Sequence, residues 1–429
     1  MKTFFAAFVL FAMGSVTAAA QLSRILGADV PGGRILTLRT EIGGTLENIP
    51  IITLGSDETV HVSFDEMSHD YHRYLYTLQH CDTYWHPTED LFFSEFAEAT
   101  QEAVPIEDYI ESQNVTTHYT NYSFDFPNED MRPLVSGNYR ITILSDDADE
   151  LTPVAEVCIY VVEPRVKISA SVTTNTEVDL NAEHQQIEME VDCMSLSVRD
   201  VREEVKAIVM QNDRLDNAVV APKPSYVNGS RLIWEHQRDL VFDAGNEYRK
   251  FEILSARYPG LHTESVHYFE PFLHATLMDD VRSRNYLAME DANGINVIRN
   301  TDNRDDVSET EYMITHFRLL CDEPFDDADV YLNGKWTTGG ICPEWMMHYD
   351  KQAQAYVGAF MLKQGYYNYQ YLVVPRENKL RRTPLGQPQG FTGPFEGNYY
   401  QAENDYRILV YYKTPGARHD RLVGHALLK

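Results

Sequence analysis

The stretch Gly137-Asn138-Tyr139-Arg140-Ile141-Thr142-Ile143 decides the fold class. A second stretch repeats its design: Gly365-Tyr366-Tyr367-Asn368-Tyr369-Gln370-Tyr371-Leu372-Val373. In the first, Tyr139, Ile141 and Ile143 share one face, and Asn138, Arg140 and Thr142 share the other. Alternation with a period of two is what a half-buried strand requires, because successive side chains leave opposite faces. In both copies a glycine stands two residues ahead of the tyrosine that opens the strand.

Such a Gly-x-Tyr entry resembles the tyrosine corner of immunoglobulin-like sandwiches, whose hydroxyl bonds back to nearby backbone. Two copies more than two hundred residues apart point to two sandwich modules in one chain of 429 residues. That length suits about three domains. Alternating runs recur at Val60 to Phe64, Tyr71 to Cys81, Tyr119 to Phe126, Ala155 to Val162, Ile187 to Asp192 and Tyr406 to Tyr412. The expected fold is therefore all-β: three β-rich modules, immunoglobulin-like or early-set β-sandwiches, with short helices in connections. One or two such helices are expected between Glu89 and Ser112.

The N-terminus sets the first boundary. Lys2 precedes the apolar run Phe4 to Met13, and Ala18-Ala19-Ala20 follows as a small-residue cleavage site. This reads as a cleavable signal peptide over residues 1–20. No later stretch approaches the ~20 apolar residues of a membrane span, so no direct membrane insertion is expected. Glu163-Pro164-Arg165 interrupts a strand pattern and suits a linker. The acidic run Asn300 to Asp306 marks a second break. The modules are then 21–163, 164–305 and 306–429. Within the second, Asn293-Gly294 is a hairpin signal, because both residues tolerate positive φ. In the third, Val330 to Trp336, Tyr356 to Phe360 and Gly365-Tyr366 resemble the order of an early-set immunoglobulin-like domain, a class that includes binders of glycogen-type sugars.

Charge narrows the partners. Lys and Arg number 36 against 65 Asp and Glu, a formal net charge of −29. Such a field repels phosphate backbones and anionic lipid, which argues against nucleic acid as a partner. The five cysteines, Cys81, Cys158, Cys193, Cys321 and Cys342, are too scattered for a disulfide framework. Cys193 continues the apolar face of Ile187, Met189 and Val191 and reads as a buried thiol. A Cys321–Cys342 pair remains open.

Chemistry-bearing clusters are sparse. His80-Cys81-Asp82-Thr83-Tyr84-Trp85-His86 offers His80, Asp82 and His86 to a metal, with His61, His69 and His72 nearby in sequence. The competing reading is a strand end with a hydrogen-bonded histidine, a buried Cys81 and a packed Trp85, and the lack of close Cys/His pairs favours it. The acidic runs at 146–150 and 326–329 lack the glycine and terminal glutamate of a calcium loop. No nucleophile elbow, zinc-protease motif or phosphate loop occurs, so neither enzyme activity nor a cofactor is expected. The 27 tyrosines serve either a sugar platform or sheet cores, and their strand positions favour cores.

Taken together, several segments carry a family resemblance. They are His80 to Trp85, Phe126-Pro127-Asn128-Glu129-Asp130-Met131-Arg132-Pro133, Ser136 to Tyr139, Val162 to Val166, Gly365 to Tyr371 and Glu403-Asn404-Asp405-Tyr406 with Leu409 to Tyr412. In this order they resemble the plug proteins of the Bacteroidetes type IX secretion system. The resemblance implies a periplasmic protein that closes the periplasmic opening of the outer-membrane β-barrel translocon, with no catalytic residues. The alternative is a periplasmic carbohydrate-binding or outer-membrane assembly module. For the partner surface, the long excursion with clustered aromatics supplies candidates: Leu91, Phe92, Phe93, Phe96, Tyr109 and Ile110. Its competing role is a lid over the first module's own core.

Overall fold

The computed structural model describes residues 22–27, 34–147, 150–379, 383 and 385–429. The leader read at 1–20 and part of the acidic run at 146–150 lie outside these residues. Strands make up 47% of the chain and helices 5%, so the fold is all-β.

The first sandwich packs two sheets. One runs Arg24–Ile25, Thr152–Val162, Gly137–Ser145, Tyr74–Cys81, Ala103–Ile106, with Ile51–Thr53 added parallel to Thr152–Val162. The other runs Thr45–Leu46, Ile35–Ile42, Val60–Glu66, Thr120–Phe126, Asp108–Glu111. Alternate residues meet between them: Val62, Phe64, Tyr122 and Phe124 against Tyr74, Tyr76, Ile141 and Ile159. The Tyr139 hydroxyl donates to the Val135 carbonyl at 2.7 Å, with the Phe96 carbonyl at 3.1 Å. Tyr367 does the same to the carbonyl of Lys363. Both hydroxyls thus reach four residues back, so each Gly-x-Tyr entry builds a tyrosine corner. Gly137 is obligatory there: its φ is +147°, and a Cβ would stand 2.4 Å from Nε2 of His80.

The remaining chain is interleaved. The middle sandwich pairs Lys167–Thr173, His184–Asp192, Arg231–Trp234 and Tyr226–Asn228 in one sheet. Its second sheet is Val219–Val220, Val205–Gln211, Tyr406–Tyr412 and Arg421–Leu428. The last two strands of the chain therefore complete the middle module. The third unit is a nine-stranded assembly in the order Arg249–Glu252, Gly365–Pro375, Ala328–Asn333, Met346–Asp350, Ala355–Lys363, Tyr312–Leu320, Phe272–Leu277, Thr263–Phe269, with Asn296–Ile298 on Gly365–Pro375.

This corrects the boundary expected at 305. The segment from Arg249 to Ile298 pairs with strands of the third unit, and residues after Tyr406 pair with the second. Alternation marks a strand and its buried face but carries no label for its neighbour.

Three smaller points are also settled: the expected short helix is present, the expected hairpin is not, and the open cysteine pair is unformed. Between Glu89 and Ser112 there is one four-residue helix, Phe93–Phe96, and three short strands. Asn293 and Gly294 adopt positive φ (+47° and +86°), but Tyr286 to Glu290 forms no strand, so the turn joins no hairpin. Cys321 and Cys342 are free thiols, as are the other three cysteines. Cys193 is buried, and burial pushes its thiol up to about 11.

Candidate partner-binding surface

Interfaces between the sandwiches define what is left as outer surface. An apolar cluster joins the first and middle sandwiches. Trp85, Cys158 and Tyr160 of the first pack with Ile208, Met210, Leu409, Tyr411 and Leu422 of the middle one. At its margin the Asp420 carboxylate accepts from the Thr83 amide at 3.0 Å and from its hydroxyl at 2.5 Å. The Tyr411 hydroxyl donates to Oδ1 of Asn138 at 2.8 Å.

The segment His80 to His86 is thereby explained. His80 is buried, with Nδ1 2.8 Å from the Thr88 hydroxyl. Burial first, and then the neighbouring His419, lowers its pKa to about 4, so the ring is neutral at pH 7. Asp82 accepts from the backbone amides of Tyr84 and His86 at 2.8 and 2.9 Å. Asp82 thus shapes a turn that carries Trp85 into the neighbouring module. The segment is a docking loop; among the described residues no group of three or more His, Cys, Asp or Glu side chains is placed to hold a metal.

Two buried ion clusters complete the joints. Asp65 of the first sandwich is fully buried and lies 2.8 Å from Nζ of Lys363 in the third unit. The Tyr312 hydroxyl donates to the same carboxylate at 2.6 Å, and the Asn121 amide does so at 2.7 Å. The Lys363 ammonium also sits 4.0 Å from the centre of the Tyr119 ring. Burial lowers the Lys363 pKa despite Asp65 beside it. At the second cluster Asp213 of the middle sandwich meets Lys335 of the third unit at 2.9 Å and Arg407 at 2.5 Å. Arg407 also reaches Glu47 of the first sandwich at 3.4 Å. Burial pushes the Asp213 carboxyl up, but Lys335 and Arg407 outweigh it and hold it below the usual range. Buried pairs of this kind are costly to half-remove, at about 3–5 kcal/mol, so they resist relative movement of the modules.

The excursion residues divide. Phe96 is 7% exposed and lies in the first core, with Leu91 and Phe93 packed against it. These three serve as the lid, which takes Phe96 away from any partner. Phe92 is 76% exposed, Tyr109 43% and Ile110 47%. They do not form one patch. Ile106 pairs with Tyr74 at one end of strand Tyr74–Cys81, while Tyr139, bonded near Phe96, belongs to the Cys81 end. Eight residues of strand separate the two by about 23 Å.

Of the two patches, the Tyr109 one is the better built. All four residues of Asp108–Glu111 are exposed, and the strand ends its sheet. An edge strand offers unpaired backbone groups to another chain. The Tyr71 ring, itself half exposed, lies 4.8 Å from that of Tyr109. Next to Ile110 a groove of 530 Å³ opens between the first sandwich and the third unit, lined by Arg39, Ser63, Asn121, Val297 and Val307 among others. The groove was not legible from the sequence, because Val297 and Val307 reach it only through the packing of two modules. The tyrosines of the second corner strand are internal: Tyr367, Tyr369 and Tyr371 are all buried, and Trp336 donates to the Asn368 carbonyl at 2.7 Å. These three rings therefore serve the core and not a sugar platform.

The model of the "type 9 secretion system plug protein 1st domain" matches residues 35–163, the first sandwich. Among solved structures, a hypothetical protein from Parabacteroides merdae ATCC 43184 shares 37% identity at TM-score 0.87, covering 95% of this chain and 99% of that one. Dimeric latent PorU from Porphyromonas gingivalis aligns at 9% identity and TM-score 0.14, over 95% of this chain and 34% of that one, too low to carry an argument. No curated protein matches. The matched domain is a component of type IX secretion and not of a known enzyme family. By this match of its first sandwich, the chain belongs to the type 9 secretion system plug protein family.

Proposed function

We propose that this protein is a periplasmic plug that occludes the periplasmic opening of the outer-membrane β-barrel translocon of the type IX system. The observation that carries the reading is mechanical. Three β modules are locked together by an apolar interface and two buried ion clusters, with Arg407 and Asp213 joining all three. An occluding body must hold its outline against a wide pore, and rigid β modules with charged joints do so. The edge strand Asp108–Glu111 with Tyr71 and Tyr109 is the surface assigned to the barrel. Affinity there comes from aromatic anchors, and the acidic field of this chain adds salt-sensitive steering.

Deletion tests the reading. Cells without this protein are expected to keep at least part of their cargo export and to admit antibiotics normally too large to enter. The leak must vanish when the barrel is also deleted. A leak that persists without the barrel, or none with the barrel present and unoccupied, overturns the proposal.

A further inference from the structure

Three histidines distant in sequence stand side by side on the outer face of the third unit. His267 is the register partner of His274 in the antiparallel pair Thr263–Phe269 with Phe272–Leu277. Across the parallel pair with Tyr312–Leu320, His274 is in register with Ile314 and His316 with Thr276, so His274 and His316 are diagonal neighbours on the same face. Residues in register project from the same face of a sheet. The alternate positions Leu273, Ala275, Phe317 and Leu319 point into the core, so the histidine row points outward.

Within the row, Nδ1 of His274 and Nε2 of His316 are 2.8 Å apart, and the rings lie 14° from parallel. One nitrogen donates and the other accepts, which requires at least one neutral ring. Burial, then the adjacent His274, lowers the proton affinity of His316. The neighbours leave the row accessible. Phe269 packs edge-on against His274 at 5.4 Å, and the register partner of His316 on its other side is the small, exposed Ala359. The nearest charge in register on this face, Arg318, is held by Asp279 at 2.6 Å.

A hydrogen-bonded cross-strand pair is the plain role for such residues. Chemistry suggests a second one. Two imidazole nitrogens bound tetrahedrally to zinc at about 2.0–2.1 Å stand about 3.3 Å apart. The pair reaches that spacing by opening about half an ångström, with ring rotation to aim both lone pairs at one point. Imidazoles without carboxylates select borderline metals over calcium or magnesium. We propose that His274 and His316 chelate a divalent transition metal of the zinc class, with water filling the remaining positions. The donor ring moves its proton to its other nitrogen, which frees both facing lone pairs for the ion, and the ion fastens Phe272–Leu277 to Tyr312–Leu320.

Calorimetric titration of the mature chain with zinc chloride, in a non-chelating buffer at pH 7.5, tests the site. One ion per chain is expected. His274→Gln and His316→Gln should each weaken binding at least as much as the roughly tenfold caused by losing even an indirect partner of a ligand. His348→Gln, on the same assembly but outside the row, should bind like the parent. Thermal melts without metal establish that each variant is folded. Anomalous diffraction from zinc-soaked crystals gives an answer independent of any variant, with a peak expected between the two rings. No binding by the parent chain, unchanged binding by both row variants, or a peak elsewhere overturns the proposal.

Discussion

Lys363 crosses from the third unit to place its ammonium 2.8 Å from the carboxylate of Asp65, a residue of the first sandwich 298 positions earlier in the chain. Neither side chain has appreciable contact with water. Removing one partner strands the other charge in a dry interface. Asp65→Asn and Lys363→Met are each expected to cost about 3–5 kcal/mol. The Asp65→Asn/Lys363→Met double variant should lose less than the sum of the singles, because both charges leave together. Urea unfolding of the four proteins checks this; additive losses would show that the pair is not coupled.

Acid should loosen the joint between the first and middle sandwiches. The folded-state pKa of His80 is lowered from 6.5 to about 4. The unfolded chain therefore takes up a proton between these values while the folded chain does not. His80 favours folding fully above pH 6.5, and that contribution is lost as pH falls towards 4. The linked change is about 3 kcal/mol. His80→Gln should flatten the difference in stability between pH 7 and pH 4.5, and a profile identical to the parent's would refute the assignment.

The two corner hydroxyls test whether the repeated motif does the same job twice. Tyr139→Phe and Tyr367→Phe each leave buried carbonyls short of a donor. Each is expected to lose about 1–3 kcal/mol. Chemical denaturation is the measurement, and a neutral result at either site would remove the corner's role in stability there.

Thiol labelling should follow burial. Cys193 is 4% exposed and its thiol is pushed up to about 11, whereas Cys321 and Cys342 are only half-buried. A bulky reagent is expected to reach Cys321 and Cys342 before Cys193 in native protein. Peptide mapping by mass spectrometry after a short pulse would reveal the order.

The assigned docking strand is tested by charge. Tyr109→Asp and Ile110→Asp are exposed substitutions, expected to change stability by no more than about 0.5 kcal/mol. They should reduce co-purification of the barrel. Phe92→Asp, at the other end of strand Tyr74–Cys81, should have a smaller effect. Retained co-purification in all three would move the contact elsewhere on the molecule.

The fold class was legible because alternation is a local property. Tyr139, Ile141 and Ile143 announce their strand without any knowledge of its neighbours, and the glycine two places ahead marks the corner. Burial of Cys193 and Trp85 was legible for the same reason. Pairing was not. Nothing in Tyr406 to Tyr412 states that its partner is Val205–Gln211, almost two hundred residues away. The excursion misled in a different way. Leu91, Phe92, Phe93 and Phe96 have helical spacing, yet after Phe96 the chain extends and its residues join sheets. Likewise the histidine row exists only through two strand registers.

Interleaving has a consequence for the order of assembly. Tyr406–Tyr412 and Arg421–Leu428 supply half of one middle sheet, and Tyr411, Asp420 and Leu422 supply the seat for Trp85, Thr83 and Asn138. A chain emerging from its N-terminus can close the first sandwich early, but its landing site does not exist until the final strands arrive. A chain cut short before Tyr406 is thus not a trimmed plug but a string of modules without a keystone. Its exposed Trp85 loop and open sheet edges would make it a ready substrate for proteolysis.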